Sequence, residues 1–344
     1  MAVLIVLLCG AAQAAELALP YALGRGLRLP ALDVTLAGYT SLRLRGLEDR
    51  DTRFNLHDLA LFAIWEPAPR WTLFTEVEVE ELIAIDGDGL RGDHAEVVVE
   101  RLYADYAANA TLTLRAGRFL TPFGRWNLLH ADPLVWTVTR PLVTVLAIPD
   151  HVTGAMLYGR RPLASGGLEY NAWSDASDEL DPAHGEAEFE EFDLPGIQND
   201  FNHAGGGQLH YRDDAGRLEV GASWASFDVA EGKGHHHAFG IDGLYAVQRW
   251  ELSSELVYRF NTAAGSRDDW GGFAQVVAPL AGPLYAVGRV EFYSSGVLAE
   301  DAGRASIGLA LRPVPPVTCK VEYHDGSNGR VLPDGWEMSC GILF

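Results

Sequence analysis

The stretch Trp336-Glu337-Met338-Ser339-Cys340-Gly341-Ile342-Leu343-Phe344 alternates: apolar side chains stand at Trp336, Met338, Cys340, Ile342 and Phe344, with Glu337, Ser339 and Gly341 between them. A period of two marks a strand with one apolar face and one wet face. The stretch before it does the same. Val317, Cys319, Val321 and Tyr323 form one face, and Thr318, Lys320, Glu322 and His324 the other. Further upstream, Leu284, Ala286, Gly288, Val290 and Phe292 oppose Arg289 and Glu291, while Trp71, Leu73, Val77 and Val79 oppose Thr72, Glu76, Glu78 and Glu80.

Extended along the chain, this rhythm predicts sixteen strands, over 33–45, 54–66, 70–82, 95–107, 110–117, 152–162, 165–174, 204–214, 216–228, 236–248, 250–262, 268–280, 283–294, 302–312, 316–326 and 334–344. The second and fourth alternate poorly. Connections after even-numbered strands are tight, as in Glu66-Pro67-Ala68-Pro69-Arg70 and Ala281-Gly282-Pro283. Those after odd-numbered strands are longer, and the longest run over 118–151 and 175–203. Short turns at one rim and long loops at the other are the plan of a transmembrane antiparallel β-barrel, with periplasmic turns and extracellular loops. Trp71, Trp250, Trp270, Tyr323, Trp336 and Phe344 fall at strand ends, where aromatic belts meet the membrane interface.

Hydrocarbon offers no hydrogen-bond partner, so a sheet in lipid must close on itself. Sixteen strands enclose more space than wall side chains can fill, which predicts an aqueous channel. The 344 residues are 48% apolar and 21% charged, with 37 glycines, a composition suited to many strands and turns. A net charge of −21 excludes a nucleic-acid partner, which needs a basic footprint. Residues 1–14 read as a secretory signal, with a short apolar core followed by Ala12-Gln13-Ala14. Residues 15–32 are expected as an N-terminal periplasmic segment and 33–344 as the barrel. The most apolar later segment, 134–148, contains Arg140 and Pro141, so membrane residence must come from strands.

Assigning the polar strand faces to the lumen gives Arg43, Arg45, Arg115, Arg212, Arg217, Arg259, Arg289, Arg304, Arg312 and Lys320 as positive wall residues. The acidic ones are Glu76, Glu78, Glu80, Glu219, Asp242, Glu251, Glu255, Glu291, Glu322 and Glu337. The two sets balance, as cross-strand pairs of opposite sign on a wet wall should. Segment 118–151 is too apolar and aromatic for disorder and too long for a simple connection. It is expected to fold into the barrel and narrow it, placing Arg118, Arg125, His130, Asp132 and Arg140 at a constriction, where fixed charge sets ion preference. The alternative is a cap on the rim.

Leading into that segment, Leu114-Arg115-Ala116-Gly117-Arg118-Phe119-Leu120-Thr121-Pro122-Phe123-Gly124 resembles the "GKF.TPFG"-type stretch of bacterial outer-membrane porins, especially the phosphate-selective porin O/P-like group. Arg101-Leu102-Tyr103-Ala104-Asp105-Tyr106 fits the same group. The resemblance implies a sixteen-stranded pore in a Gram-negative outer membrane, with a homotrimer as one possible assembly. Phe344 is similar to the terminal aromatic read by the barrel-assembly machinery. The lysine-rich ladder of that group is not visible, since Lys233 and Lys320 are the only lysines.

Three other constellations stand out. Residues 175–200 carry ten carboxylates and no Lys or Arg, and read as a solvated extracellular loop or as a divalent-cation contact to lipopolysaccharide. His235-His236-His237 is a weak metal candidate, because adjacent loop histidines chelate poorly without further ligands. Cys319 and Cys340 stand on apolar faces, symmetric about the last loop, as a disulfide or as two free thiols. No nucleophile-elbow or paired-carboxylate motif appears, although barrel enzymes can hold a Ser–His pair on the outer wall. The expected function is passive diffusion of small hydrophilic solutes or ions, without enzyme activity or cofactor, among outer-membrane lipid and lipopolysaccharide. The alternative is a plugged barrel that serves as scaffold or sheath for a complex.

Overall fold

The structure is a computed structural model, and it describes residues 20–87, 89–92, 95–176, 201–229, 235–262, 267–295, 301–327 and 332–344. The expected signal at 1–14 lies outside these residues, as does nearly all of the acidic stretch 175–200.

Sixteen strands build the wall: β1 (Val34–Leu47), β2 (Arg53–Ala68), β3 (Trp71–Asp86), β4 (Glu96–Asn109), β5 (Leu112–Leu120), β6 (His151–Leu163), β7 (Gly166–Asp175), β8 (Phe201–Asp213), β9 (Leu218–Val229), β10 (His235–Val247), β11 (Trp250–Asn261), β12 (Asp269–Pro279), β13 (Leu284–Ser294), β14 (Ala302–Val314), β15 (Val317–Gly326) and β16 (Gly335–Leu343). Each pairs antiparallel with its neighbours in sequence. β16 pairs with β1 through Gly335↔Leu47 to Leu343↔Tyr39, which closes the cylinder. Every expected strand is present within a few residues of its expected ends. No helix among the described residues is long and apolar enough to cross a membrane.

Closure turns the usual burial rule inside out. On β14, Ile307 is 70% exposed on the outside while Arg304 is 6% exposed within. An apolar outer skin is what lipid requires. The poor alternation of the second and fourth strands has a local cause. Register shifts fall between Leu56 and Asp58 on β2 and between Glu76 and Val77 on β3, opposite Glu100 of β4. A bulge inserts one extra residue and re-aims those around it. Here it lets Glu100 and Arg101 both reach inward contacts, Glu100 with His151 and Arg101 with Glu76.

Residues 20–32, the described part of the expected N-terminal segment, form a short hairpin (Tyr21–Ala22 with Gly26–Leu29) that pairs with the start of β1. Cys319 and Cys340 are directly opposed across β15 and β16 and are disulfide-bonded.

The lumen differs from the expected hydrated throat. Residues 121–150, between β5 and β6, fold inside the cylinder and carry the one α-helix among the described residues, α1 (Leu142–Ala147). Phe123, Trp126, Leu142, Val143, Leu146 and Ile148 pack with wall residues Trp173, Phe227, Val257, Phe273 and Tyr293 in one buried cluster. This side of the barrel has an apolar interior because the segment brings hydrocarbon with it.

Candidate functional site

A non-repetitive segment inside a barrel has backbone N–H and C=O groups with no sheet partner, and burial without partners is costly. The wall supplies those partners. Glu255 on β11 accepts the N–H groups of Arg125 and Trp126 at 2.6 and 2.7 Å. Glu322 on β15 accepts from Thr139 N at 2.7 Å, and Glu291 on β13 from Leu142 N, also at 2.7 Å, at the start of α1. Cations take the carbonyls. Arg43 donates to Val138 O, Arg259 to Ala147 O, Arg289 to Thr139 O and Arg304 to Arg140 O. Lys320 donates to the carbonyls of Asp132 and Thr137 and, at 2.9 Å, to the Asp132 carboxylate.

These wall residues were expected to face water. Arg43, Arg259, Arg289, Glu291, Lys320 and Glu322 are instead buried anchors of the insert. Glu291 also holds Arg289 at 3.1 Å and Arg304 at 2.8 Å, so two guanidiniums share one carboxylate. Elsewhere on the wall Arg45 pairs with Glu337, Glu76 with Arg101, and Arg115 with Asp105 in a two-pronged bond of 2.7 and 2.8 Å. Glu80 lies on β3 in register with Asp58 and Glu96.

The five expected constriction residues do not converge on one point. Arg125 reaches Glu219 at 3.5 Å, beside β8 and β9. Asp132 lies against β15 and β16, with Lys320 and Ser339. His130 and Arg140 meet, Nη1 to Nδ1, at 3.3 Å. Arg118 is on β5 in register with Leu102 and Thr153, on the same outward parity as Leu114. His130 is held by Glu78 at 3.5 Å and Glu100 at 3.4 Å, and Glu100 also takes His151 at 2.7 Å. Burial opposes the charge on His130, but Glu100 and Glu78 outweigh both that and the nearby Arg140, and push its pKa up to about 10. Ligand atoms of Glu78, Glu100 and His130 all lie within 4.8 Å of one another, a set with the chemistry to take a divalent cation. The histidines 235–237 do not converge. Strand alternation turns His236 inward onto Phe227, and leaves His235 and His237 on the other face.

A cavity of about 600 Å³ lies between the insert and β5–β9. Thr111, Arg160, Arg212 and Glu219 place it at the short-turn end of the barrel, and Leu120, Pro122, Leu128 and Leu129 form its inner end. Arg115, Arg125, Arg160 and Arg212 line it against Glu169 and Glu219, an excess of positive charge. Arg212 and Glu219 pair at 3.1 Å and Arg160 and Glu169 at 4.0 Å, with Arg160 more than half exposed. Sequence reasoning missed Arg160 and Glu169, although both stand on inward positions of alternating strands. It also missed Glu100, which only the bulge brings inward.

No protein-family profile matches the chain. An uncharacterized protein of Aquifex aeolicus is 29% identical over 136 residues, which span 38% of this chain and 30% of that relative's length. Among solved structures, the trimer form of OmpT, an outer membrane protein of Vibrio cholerae, superposes with a TM-score of 0.60 at 10% identity, covering 90% of this chain and 99% of that one. An anion-selective porin from Comamonas acidovorans gives 0.59 at 13% identity, over 90% and 99% of the two chains. The outer membrane channel DcaP of Acinetobacter baumannii gives 0.59 at 13%, over 93% and 100%. These likenesses show a porin-type barrel fold.

Proposed function

We propose that this chain is an outer-membrane channel for small hydrophilic anions, with its route between the insert and the β5–β9 wall. The observation that carries the reading is the water-exposed, arginine-rich cavity on that side, next to a buried apolar cluster in which the insert packs on Phe227, Val257, Phe273 and Tyr293. Positive side chains in a narrow passage favour anions. The resemblance of 114–124 to phosphate-selective porins makes inorganic phosphate the first solute to test. The trimer form of V. cholerae OmpT supports a homotrimer here, which cross-linking in detergent would check.

The test is single-channel recording in a planar bilayer under a salt gradient. Discrete conductance with a reversal potential on the anion side is expected. A second reading, a plugged barrel acting as scaffold, draws support from the breadth of the seal, since the insert is anchored from β8 and β9 round to β1. That reading expects no current from the native protein and current only after the anchors are cut.

A further inference from the structure

We propose that the outer wall carries a serine-hydrolase site for the carboxylic esters of membrane lipid, with Ser226 as nucleophile, His235 as base and Asp228 as its orienting carboxylate. Ser226 Oγ lies 2.6 Å from His235 Nε2, and His235 Nδ1 lies 2.8 Å from Asp228 Oδ1. Nucleophile, base and orienter thus form one chain of hydrogen bonds through the two ring nitrogens, the arrangement by which such triads are recognised on unrelated folds.

Strand alternation fixes where the triad faces. Phe227 and His236 are buried and stack on each other inside the barrel. Their neighbours Ser226, Asp228, His235 and His237 therefore stand on the outer face. Asp228 is directly opposite His235 in the β9–β10 ladder, and Ser226 is opposite His237. The site lies at the long-loop end of both strands. Two residues along, about 7 Å at the rise of a strand, the exposed pair Trp224 and Phe239 faces outward. His237 itself packs on Phe260, with ring centroids 4.9 Å apart. Exposed aromatics at strand ends sit at headgroup level, which puts the serine at the depth of lipid ester groups, with interfacial water beside it. There is room for a substrate. Across β8 from Ser226 is Gly205, where an added methyl would meet only the Trp173 carbonyl, at 3.4 Å.

The chemistry balances with water as co-reactant. His235 Nε2 takes the Ser226 proton as Oγ attacks the ester carbonyl. The imidazolium, held by Asp228, returns the proton to the departing alcohol oxygen, which leaves an acyl-serine. Water, deprotonated in the same way, then releases the fatty acid and restores Ser226. His237, across the ladder from Ser226 with its ring centroid 4.7 Å from that of His235, is assigned the N–H that meets the oxyanion. A purely structural role, three polar groups satisfying one another at the rim, would use the same bonds but give no covalent chemistry.

The test is to incubate the folded protein in detergent micelles with a fluorophosphonate and map the adduct by mass spectrometry. Hydrolysis of p-nitrophenyl octanoate is followed in parallel. Labelling of Ser226 is expected, with hydrolysis reduced at least about hundredfold in S226A and D228N. Vesicles of phosphatidylethanolamine and dispersions of lipid A then separate the two sources of ester by which one releases fatty acid. Heat-modifiable migration on gels verifies that each variant is folded. An unlabelled Ser226 in folded protein, hydrolysis equal in wild type and S226A, or release from neither lipid would overturn the proposal.

Discussion

Glu291 shows what a single residue does inside this barrel. Its carboxylate pairs with both Arg289 and Arg304 and accepts the first N–H of α1, in a buried setting. Removing one member of a buried charge set leaves the others uncompensated, at about 3–5 kcal/mol. E291A is expected to lower the unfolding midpoint on heat-modifiable gels markedly, while E291Q, which keeps an acceptor for Leu142 N, should lower it less. His130 gives a pH signature. Its pKa is raised to about 10 by Glu100 and Glu78 against the cost of burial. A raised value means that the stabilisation is complete below the ordinary 6.5 and is lost as pH climbs through about 10. The thermal midpoint should therefore fall between pH 7 and pH 10.5, with a smaller fall in H130Q. Equal falls in both proteins would remove His130 from the account.

At the scale of elements, the insert behaves as a small domain without a sheet or long helix of its own. Its apolar side chains pack on β7 and β9–β13, and its polar backbone is satisfied by the wall. Trp126, buried and edge-on to Phe273 at 6.2 Å, is central to the packing. W126A should cost about 3–5 kcal/mol of local stability. The expected result is more open-channel noise and faster maleimide labelling of a T144C probe, since Thr144 is buried on α1 in the native protein. Gly124 has φ +65°, and a Cβ there would stand 2.7 Å from Glu255 Oε2. G124A should therefore loosen the same turn, by about 1–2 kcal/mol from the left-handed backbone alone, read out by the same probe.

For the whole molecule, the distribution of charge matters more than its total. The chain carries −21 overall, yet the cavity beside β5–β9 has more arginines than carboxylates. R160E with R212E should move the reversal potential toward cations without changing the fold, because both side chains are solvent-exposed at the short-turn end. An unmoved reversal potential would place the passage elsewhere. The barrel itself was legible from the sequence, strand by strand, because a wall between lipid and a polar interior imposes a period of two on every segment that crosses it. Even the weak alternation near His57 and Glu100 was a true signal, of bulges rather than missing strands. The insert's inward fold could be anticipated from the apolar and aromatic run 118–151, but its anchors could not. Periodicity says which way Arg289 or Lys320 points; it does not say whether water or a carbonyl of a segment about 150 to 190 residues earlier meets it. Nor could Ser226, Asp228 and His235 be paired from sequence, since the link runs diagonally across a ladder whose register only the folded sheet sets. Alternation is a local property, written into each strand by its two solvents, whereas contacts across the lumen and between strands depend on where distant segments come to rest.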